Sequence, residues 1–120
     1  MAIKLFDSEL KVMAILWKEG DTSAKQITET LKEQISWSKS TTYTIIKRCI
    51  DKGAIERIEP NFICRPLVTI EEAREHETTV LINKMYGGAG DQLVASLLSG
   101  SKLLSKNEVE RLKQIVLEME

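Results

Sequence analysis

Hydrophobic and polar positions alternate along this chain with two periods, and the changes of period mark its elements. Leu10, Met13, Ala14 and Trp17 recur at helical spacing between Asp7, a good N-cap, and Gly20, a natural stop, which predicts a first helix. "SAKQ" from Ser23 to Gln26 has the capping-box pattern, with Ala24, Ile27 and Leu31 as the apolar stripe of a shorter helix ending near Gln34. Ser38 is placed to cap a third helix running to about Lys52, where Gly53 ends it. At about 100° per residue, Thr42, Ile45, Ile46 and Cys49 share one face of that helix, with Ile50 at its edge. Ser40, Thr44, Lys47 and Asp51 lie roughly opposite, flanked by Thr41 and Arg48 on one side and Tyr43 on the other. One face packs and the other presents hydrogen-bonding groups.

The period then shortens. Ile55, Arg57 and Glu59 alternate with Glu56 and Ile58, a Pro60-Asn61 turn follows, and Phe62, Ile63 and Cys64 favour a strand, which predicts a two-stranded hairpin. From there the pattern is helical again. Thr69 and Glu72 form a capping box before a helix ending near Tyr86, "GGAG" breaks it, "DQLVASLL" is a short helix, and Ser105 with Glu108 opens "VERLKQIVLEM". The fold class expected is mainly α, with a domain at 1–68 and a helical domain at 69–120. Three helices with the last presenting a polar face resemble a helix-turn-helix, whose recognition helix enters the major groove of DNA N-terminus first. A hairpin directly after such a helix is a wing. Its cations are Arg57 and Arg65, opposed by Glu56 and Glu59, so it serves either as a phosphate contact or as a ribbon closing the domain.

The C-terminal helices carry apolar side chains with few partners in the first domain, and a second copy of the chain is the expected cover. The residues expected there are Leu81, Met85, Leu93, Leu97 and Leu98, then Leu112, Ile115, Val116 and Met119.

Charge sharpens this reading only once it is split. The formal net charge is −1 over 120 residues, but residues 1–66 hold eleven Lys/Arg against nine Asp/Glu and residues 67–120 hold six against nine. Around the third helix Lys39, Lys47, Arg48 and Lys52 face only Asp51, and a phosphate feels charge within a Debye length of about 8 Å at physiological salt. Lys47 and Arg48 are therefore expected DNA contacts, while Tyr43 either stacks on sugar-phosphate or covers the domain edge. Trp17 and Trp37 are expected to pack rather than to stack on bases.

Other chemistries find little support. Cys49 and Cys64 sit in apolar stretches without metal-ligand spacing, so buried reduced thiols are expected. His76 lies in the charged run "EEAREHE" with no second ligand, "GGAG" lacks the Lys-Ser/Thr of a phosphate loop, and one histidine supports no catalytic triad. No enzyme activity, metal or cofactor is expected. No apolar run approaches the roughly 20 residues of a membrane span, and "MAIKLFDSE" has no signal-peptide core, so no membrane partner and a cytoplasmic location are expected.

"FDSELKVMAILWKEGDTSAKQITETLKE", "WSKSTTYTIIKRCIDKGAI", "RPLVTIEEA", "LINKMYGG" and "SKNEVERLKQIV", in that order, resemble the BlaI/MecI-type transcriptional repressors, the penicillinase and methicillin-resistance repressor family. The resemblance implies a winged-helix DNA-binding domain and a helical dimerisation domain. It implies a homodimer on palindromic operators with TACA/TGTA-like cores that silences β-lactamase-type genes. It places the family's recognition positions on Ser40, Thr41, Thr44, Lys47 and Arg48. The chain departs from the family at Lys39-Ser40, where a Pro-Lys pair is common, at Tyr43, and in a shorter, less basic wing. The family's sensor protease cuts an Asn-Phe bond whose position here is Leu97-Leu98; the sole Asn-Phe pair, Asn61-Phe62, falls in the wing turn. A protease partner is therefore expected to cut elsewhere or to be absent. Copper-responsive relatives use a C-terminal cysteine motif, which "LEME" lacks. The competing expectation is a winged-helix protein-protein interaction module without sequence-specific DNA binding, favoured by the near-neutral charge and acidic wing.

Overall fold

The computed structural model describes residues 3–99 and 103–119. The elements in order are α1 (Asp7–Glu19), β1 (Thr22–Ser23), α2 (Ala24–Ile35), α3 (Lys39–Asp51), β2 (Ile55–Ile58), β3 (Ile63–Pro66), α4 (Ile70–Met85), α5 (Gly90–Leu98) and α6 (Lys106–Glu118). The chain divides into two compact units within α4, one ending at Glu77 and one beginning at Thr78. The break falls later than position 68 because the first turns of α4 belong to the first unit, where Ala73 is buried in its core.

In the first unit, α3 packs against α1, α2 and β2. Val12, Met13 and Leu16 from α1, Ala24, Ile27 and Leu31 from α2, Ile45, Ile46 and Cys49 from α3, and Ile55 and Cys64 from the sheet make a continuous core. The stripe of α1 is rotated from the expected one: Val12, Met13, Ile15 and Leu16 are buried, Leu10 and Trp17 are half-buried, and Ala14 is exposed. Trp17 is held at the core edge, its indole N–H donating to the Val68 carbonyl oxygen at 2.8 Å. Trp37 likewise packs against the core.

The sheet has three strands in the order β1-β3-β2, all antiparallel, with Thr22 opposite Cys64 and Arg57 opposite Cys64 on the other side. The short β1 has no signature of its own; it exists because β3 offers a free edge to the residues entering α2. The Phe62 carbonyl accepts the Ala24 amide at 2.9 Å, which satisfies one of the free amides that begin α2.

The helix starts are set by side chains. Ser23 Oγ accepts the Gln26 amide at 3.1 Å, and Ser38 Oγ accepts the Thr41 amide at 3.1 Å. Both halves of the box form at Thr69/Glu72 and at Ser105/Glu108. For α1 the cap is Phe6, not Asp7, and Glu9 accepts the Phe6 amide at 2.8 Å. α3 ends at Asp51 with Lys52 as its C-cap, and the chain turns away at Gly53, whose φ of +83° suits the residue without a side chain.

The second unit is the rest of α4 with α5 and α6. α4 stops where Ile82 O accepts both the Tyr86 and Gly88 amides, with Gly87 and Gly88 at positive φ. The Tyr86 and Ser96 hydroxyls lie 3.0 Å apart, joining this turn to α5.

Candidate nucleic-acid interface

The site is built on α3. Thr42, Ile45, Ile46 and Cys49 are buried at 6% exposure or less, which fixes the rotation of the helix about its axis. Ser40, Thr41, Thr44, Lys47 and Arg48 are thereby exposed. Among the described residues neither Lys47 nor Arg48 has an ion pair, so both ends are available to an anion. The Thr44 hydroxyl donates back to the Ser40 carbonyl at 2.9 Å, which leaves its oxygen facing outward as an acceptor. Thr41 is held at the helix start, where Ser38 Oγ donates to its hydroxyl oxygen at 2.9 Å.

Tyr43 is half-buried and packs against the core. Its ring meets Phe62 edge-on, with centroids 5.7 Å apart and planes at 78°, while Lys39 Nζ stands 5.8 Å from its centre. Tyr43 thus closes the edge of the domain and joins α3 to the hairpin.

Lys52 is not part of this surface, although its charge was counted with it above. Its ammonium pairs with Glu9 Oε1 at 2.5 Å, donates to the Lys4 carbonyl at 2.9 Å and sits 4.2 Å from the centre of the Phe6 ring. Glu9 is fully buried. Its carboxylate therefore joins the start of α1 to the end of α3, and the Lys52 ammonium is committed to these contacts.

The wing cations are both engaged. Arg65 reaches Asp21 Oδ2 with Nε at 3.0 Å and Nη2 at 2.8 Å, and Glu56 lies 3.9 Å from Nη1. Asp21 raises the Arg65 pKa by accepting these bonds. Arg57 is paired with Glu59 and lies over the Phe62 ring, 3.7 Å from its centre.

A groove of about 590 Å³ beside the start of α3 is lined by Lys25, Thr28, Glu29, Lys32, Ser38, Lys39 and Tyr43. Lys25 and Lys32 on α2 escaped the sequence reading because nothing in α2 alone shows which of its exposed cations flank α3. His76 is half-buried, and no group of three His, Cys, Asp or Glu able to hold a metal occurs among the described residues. Cys49 and Cys64 are free and buried; burial pushes their pKa values from 9.0 up to about 12 and about 11, so both are neutral thiols at ordinary pH.

In the second unit Leu81, Met85, Leu98, Ile115, Val116 and Met119 are exposed, from 43% to 78%. Leu93, Leu97 and Leu112 are half-buried. Val94, Leu98, Val109, Leu112, Ile115, Val116 and Leu117 line an apolar groove of about 690 Å³. No helix of the described residues is long and apolar enough to cross a membrane.

The comparisons with known proteins agree with this geometry. The chain is 27% identical over 115 residues to the penicillinase repressor of Bacillus licheniformis, covering 94% of this chain and 89% of that one. It is 29% identical over 111 residues to an uncharacterised 16.5 kDa protein of Latilactobacillus sakei, covering 91% and 75%. The solution structure of the DNA-binding domain of the repressor BlaI matches with a TM-score of 0.55 at 26% identity, over 60% of this chain and 90% of that one. Monomeric Bacillus licheniformis BlaI in complex with the blaP half-operator matches with a TM-score of 0.52, also at 26% identity, over 60% and 90%. The first unit is a winged helix-turn-helix of that kind. The penicillinase repressor family profile matches residues 5–118, and the chain belongs to this family of transcriptional repressors, which are not enzymes.

Proposed function

We propose that this chain is a homodimeric repressor that binds palindromic operator DNA, of β-lactamase-type or related genes, through α3 of each copy. The observation that carries the reading is the face of Ser40, Thr41, Thr44, Lys47 and Arg48, exposed and, among the described residues, without an ion pair, on a helix whose opposite face is locked in the core. Lys47 and Arg48 supply cations for phosphate or guanine, and the small hydroxyls serve either a base edge or a phosphate. Tyr43 flanks this face and Arg57 extends it onto the wing. The half-operator complex of BlaI supports DNA as the partner of the corresponding surface here.

The second unit supports self-association. Leu81, Met85, Leu93, Leu97 and Leu98, with Leu112, Ile115, Val116 and Met119, are the residues assigned to a dimer interface, and the exposed members gain cover there. A dimer sets two copies of α3 about one helical turn of DNA apart, roughly 34–36 Å. Leu97-Leu98, the position of the resembling family's cleavage bond, lies in the last turn of α5 and is not Asn-Phe. A sensor protease is accordingly expected to leave this bond intact, and mass spectrometry of a digest by the cognate protease checks it.

The direct test is selection of the protein against a random duplex library at physiological salt. Recovery of a palindrome bound at about 10⁻⁸–10⁻¹¹ M is expected. Binding confined to the nonspecific range of about 10⁻⁴–10⁻⁶ M would transfer the scaffold to the protein-interaction reading. Lys47→Ala and Arg48→Ala are each expected to weaken binding by about 1–3 kcal/mol if they read a base, or to lower the salt slope by about one if they hold a phosphate.

A further inference from the structure

We propose that Glu59 is an intramolecular substitute for DNA phosphate on the wing: it holds Arg57 in the free protein, and a phosphate oxygen displaces it from the guanidinium when duplex binds. The inference rests on the DNA-binding reading above and assigns the wing a part in it.

The two wing arginines have the same charge and different surroundings. Arg65 gives two donors to Asp21 and has Glu56 near a third, so it ties β3 to the residue before β1 and is committed to the fold. Among the described residues Arg57 meets a single carboxylate, through Nε alone, and both partners are about half exposed, Arg57 at 50% and Glu59 at 56%. A guanidinium has five N–H donors, so most of the Arg57 donors are open to an incoming anion. An ion pair this exposed is weakly held and readily exchanged.

Arg57 is nevertheless fixed in position. Its guanidinium carbon lies 3.7 Å from the centre of the Phe62 ring, which orients the plane and leaves the edge free for the two-pronged contact that arginine makes with phosphate. Phe62 is itself held on two sides. Its carbonyl accepts the first amide of α2, and its ring meets Tyr43 of α3 edge-on. The series Arg57, Phe62, Tyr43 runs from the wing to the recognition helix through contacts of 3.7 and 5.7 Å. Arg57 therefore keeps a fixed relation to α3, and an anion arriving along that edge finds the guanidinium already oriented. In the free protein Glu59 takes one donor of that guanidinium, Nε, with a single carboxylate oxygen, and a phosphate oxygen can take the same donor.

The test uses the full chain and its selected operator, with affinity measured across a range of salt for wild type, Glu59→Gln, Arg57→Ala and the double variant. Glu56→Gln, on the same hairpin but beside Arg65, controls for lost negative charge. Glu59→Gln is expected to bind about two- to fivefold tighter, the size of one released exposed pair. Arg57→Ala is expected to lower the salt slope by about one. The decisive result is that the Glu59→Gln gain disappears when Arg57 is alanine, while any Glu56→Gln gain survives there. An equal Glu59→Gln gain in both backgrounds, or an unchanged salt slope in Arg57→Ala protein with wild-type thermal unfolding, overturns the exchange and leaves the recognition helix standing. Failure of wild-type protein to bind any duplex specifically overturns the DNA-binding reading itself.

Discussion

The two units of this chain handle apolar surface in opposite ways. In the first, Val12, Met13, Ile27, Ile46, Cys49 and Cys64 are at 0% exposure, and the polar face of α3 is what remains outside. In the second, Val116 and Leu117 stand at 63% and Met119 at 78%, and among its described residues none is buried. The first unit has a core of its own. The second has amphipathic helices without one, and burial is worth roughly 25 cal/mol per Å² of apolar surface, so its helices gain most of their stability from whatever covers them. The division matches the proposed division of labour: a packed body to place side chains against DNA, and a unit that self-association would complete.

The largest effect that separates them is a core truncation. Ile46→Ala removes a fully buried side chain beneath the recognition face and is expected to lower the stability of the first unit by about 2–5 kcal/mol, independently of protein concentration, in urea unfolding followed by tryptophan fluorescence. Both tryptophans, Trp17 and Trp37, lie in that unit. Ile115→Asp, on an exposed stripe, is expected to leave that transition in place and to convert dimer to monomer in sedimentation, with operator affinity falling at least about tenfold as one half-site contact is lost. Equal loss of first-unit stability in both variants would dissolve the distinction.

Alkaline pH provides a smaller handle on the same contrast. Cys49 and Cys64 keep their protons to about 12 and about 11 in the folded chain, against 9.0 when unfolded. Above pH 9 the unfolded chain releases protons that the folded chain retains, so stability falls as pH rises and levels off only past the folded values. At pH 10 each thiol costs on the order of 1 kcal/mol. The loss is confined to the first unit, because both cysteines are there. Thiol labelling at pH 7 is expected to be slow and to accelerate only where the first unit unfolds; rapid labelling of folded protein would contradict the burial.

How much of this could be read from the sequence depends on how far a residue's partner lies along the chain. α3 was legible from Ser38 to Gly53, since its cap, stripe and stop are all local, and the exposed set Ser40, Thr41, Thr44, Lys47 and Arg48 follows from the angle of the stripe. The Thr69/Glu72 and Ser105/Glu108 boxes are local too. Lys52 was illegible. Its ammonium is directed by Glu9, 43 positions away, and a glutamate in an amphipathic helix ordinarily belongs outside, so nothing marked Glu9 as buried. The same reason hid the true stripe of α1, which turns to place Glu9 inward along with Val12, Met13 and Leu16. β1 has two residues and no periodicity, and only β3 makes it a strand. Phe62 read as a strand residue, whereas its role at the junction of α2, α3 and the wing appears only once all three are in place.

The smallest predicted effect compares one substitution in the two units. Ser38→Ala and Ser105→Ala each remove an N-cap hydroxyl, at the start of α3 and of α6. In the first unit the loss is expected to be about 1 kcal/mol of global stability, since α3 unfolds only with the core. In the second, α6 frays on its own, and the loss is expected in the dimer dissociation constant instead. Acid separates the two further. The Glu108 carboxyl is held below its ordinary 4.5 by hydrogen bonds from the backbone and hydroxyl of Ser105. Its contribution is therefore complete above pH 4.5 and is lost as pH falls through the lower folded value. Lowering the pH below 4.5 is expected to loosen α6 in the wild type, and Ser105→Ala to remove part of that dependence because one of the two bonds is gone. Ser38 caps α3 with no carboxylate across from it, so Ser38→Ala should leave the acid profile unchanged. If both variants shifted the acid transition equally, α6 would be coupled to the first unit's core, and the second unit would not be the separately completed body that its exposed apolar surface describes.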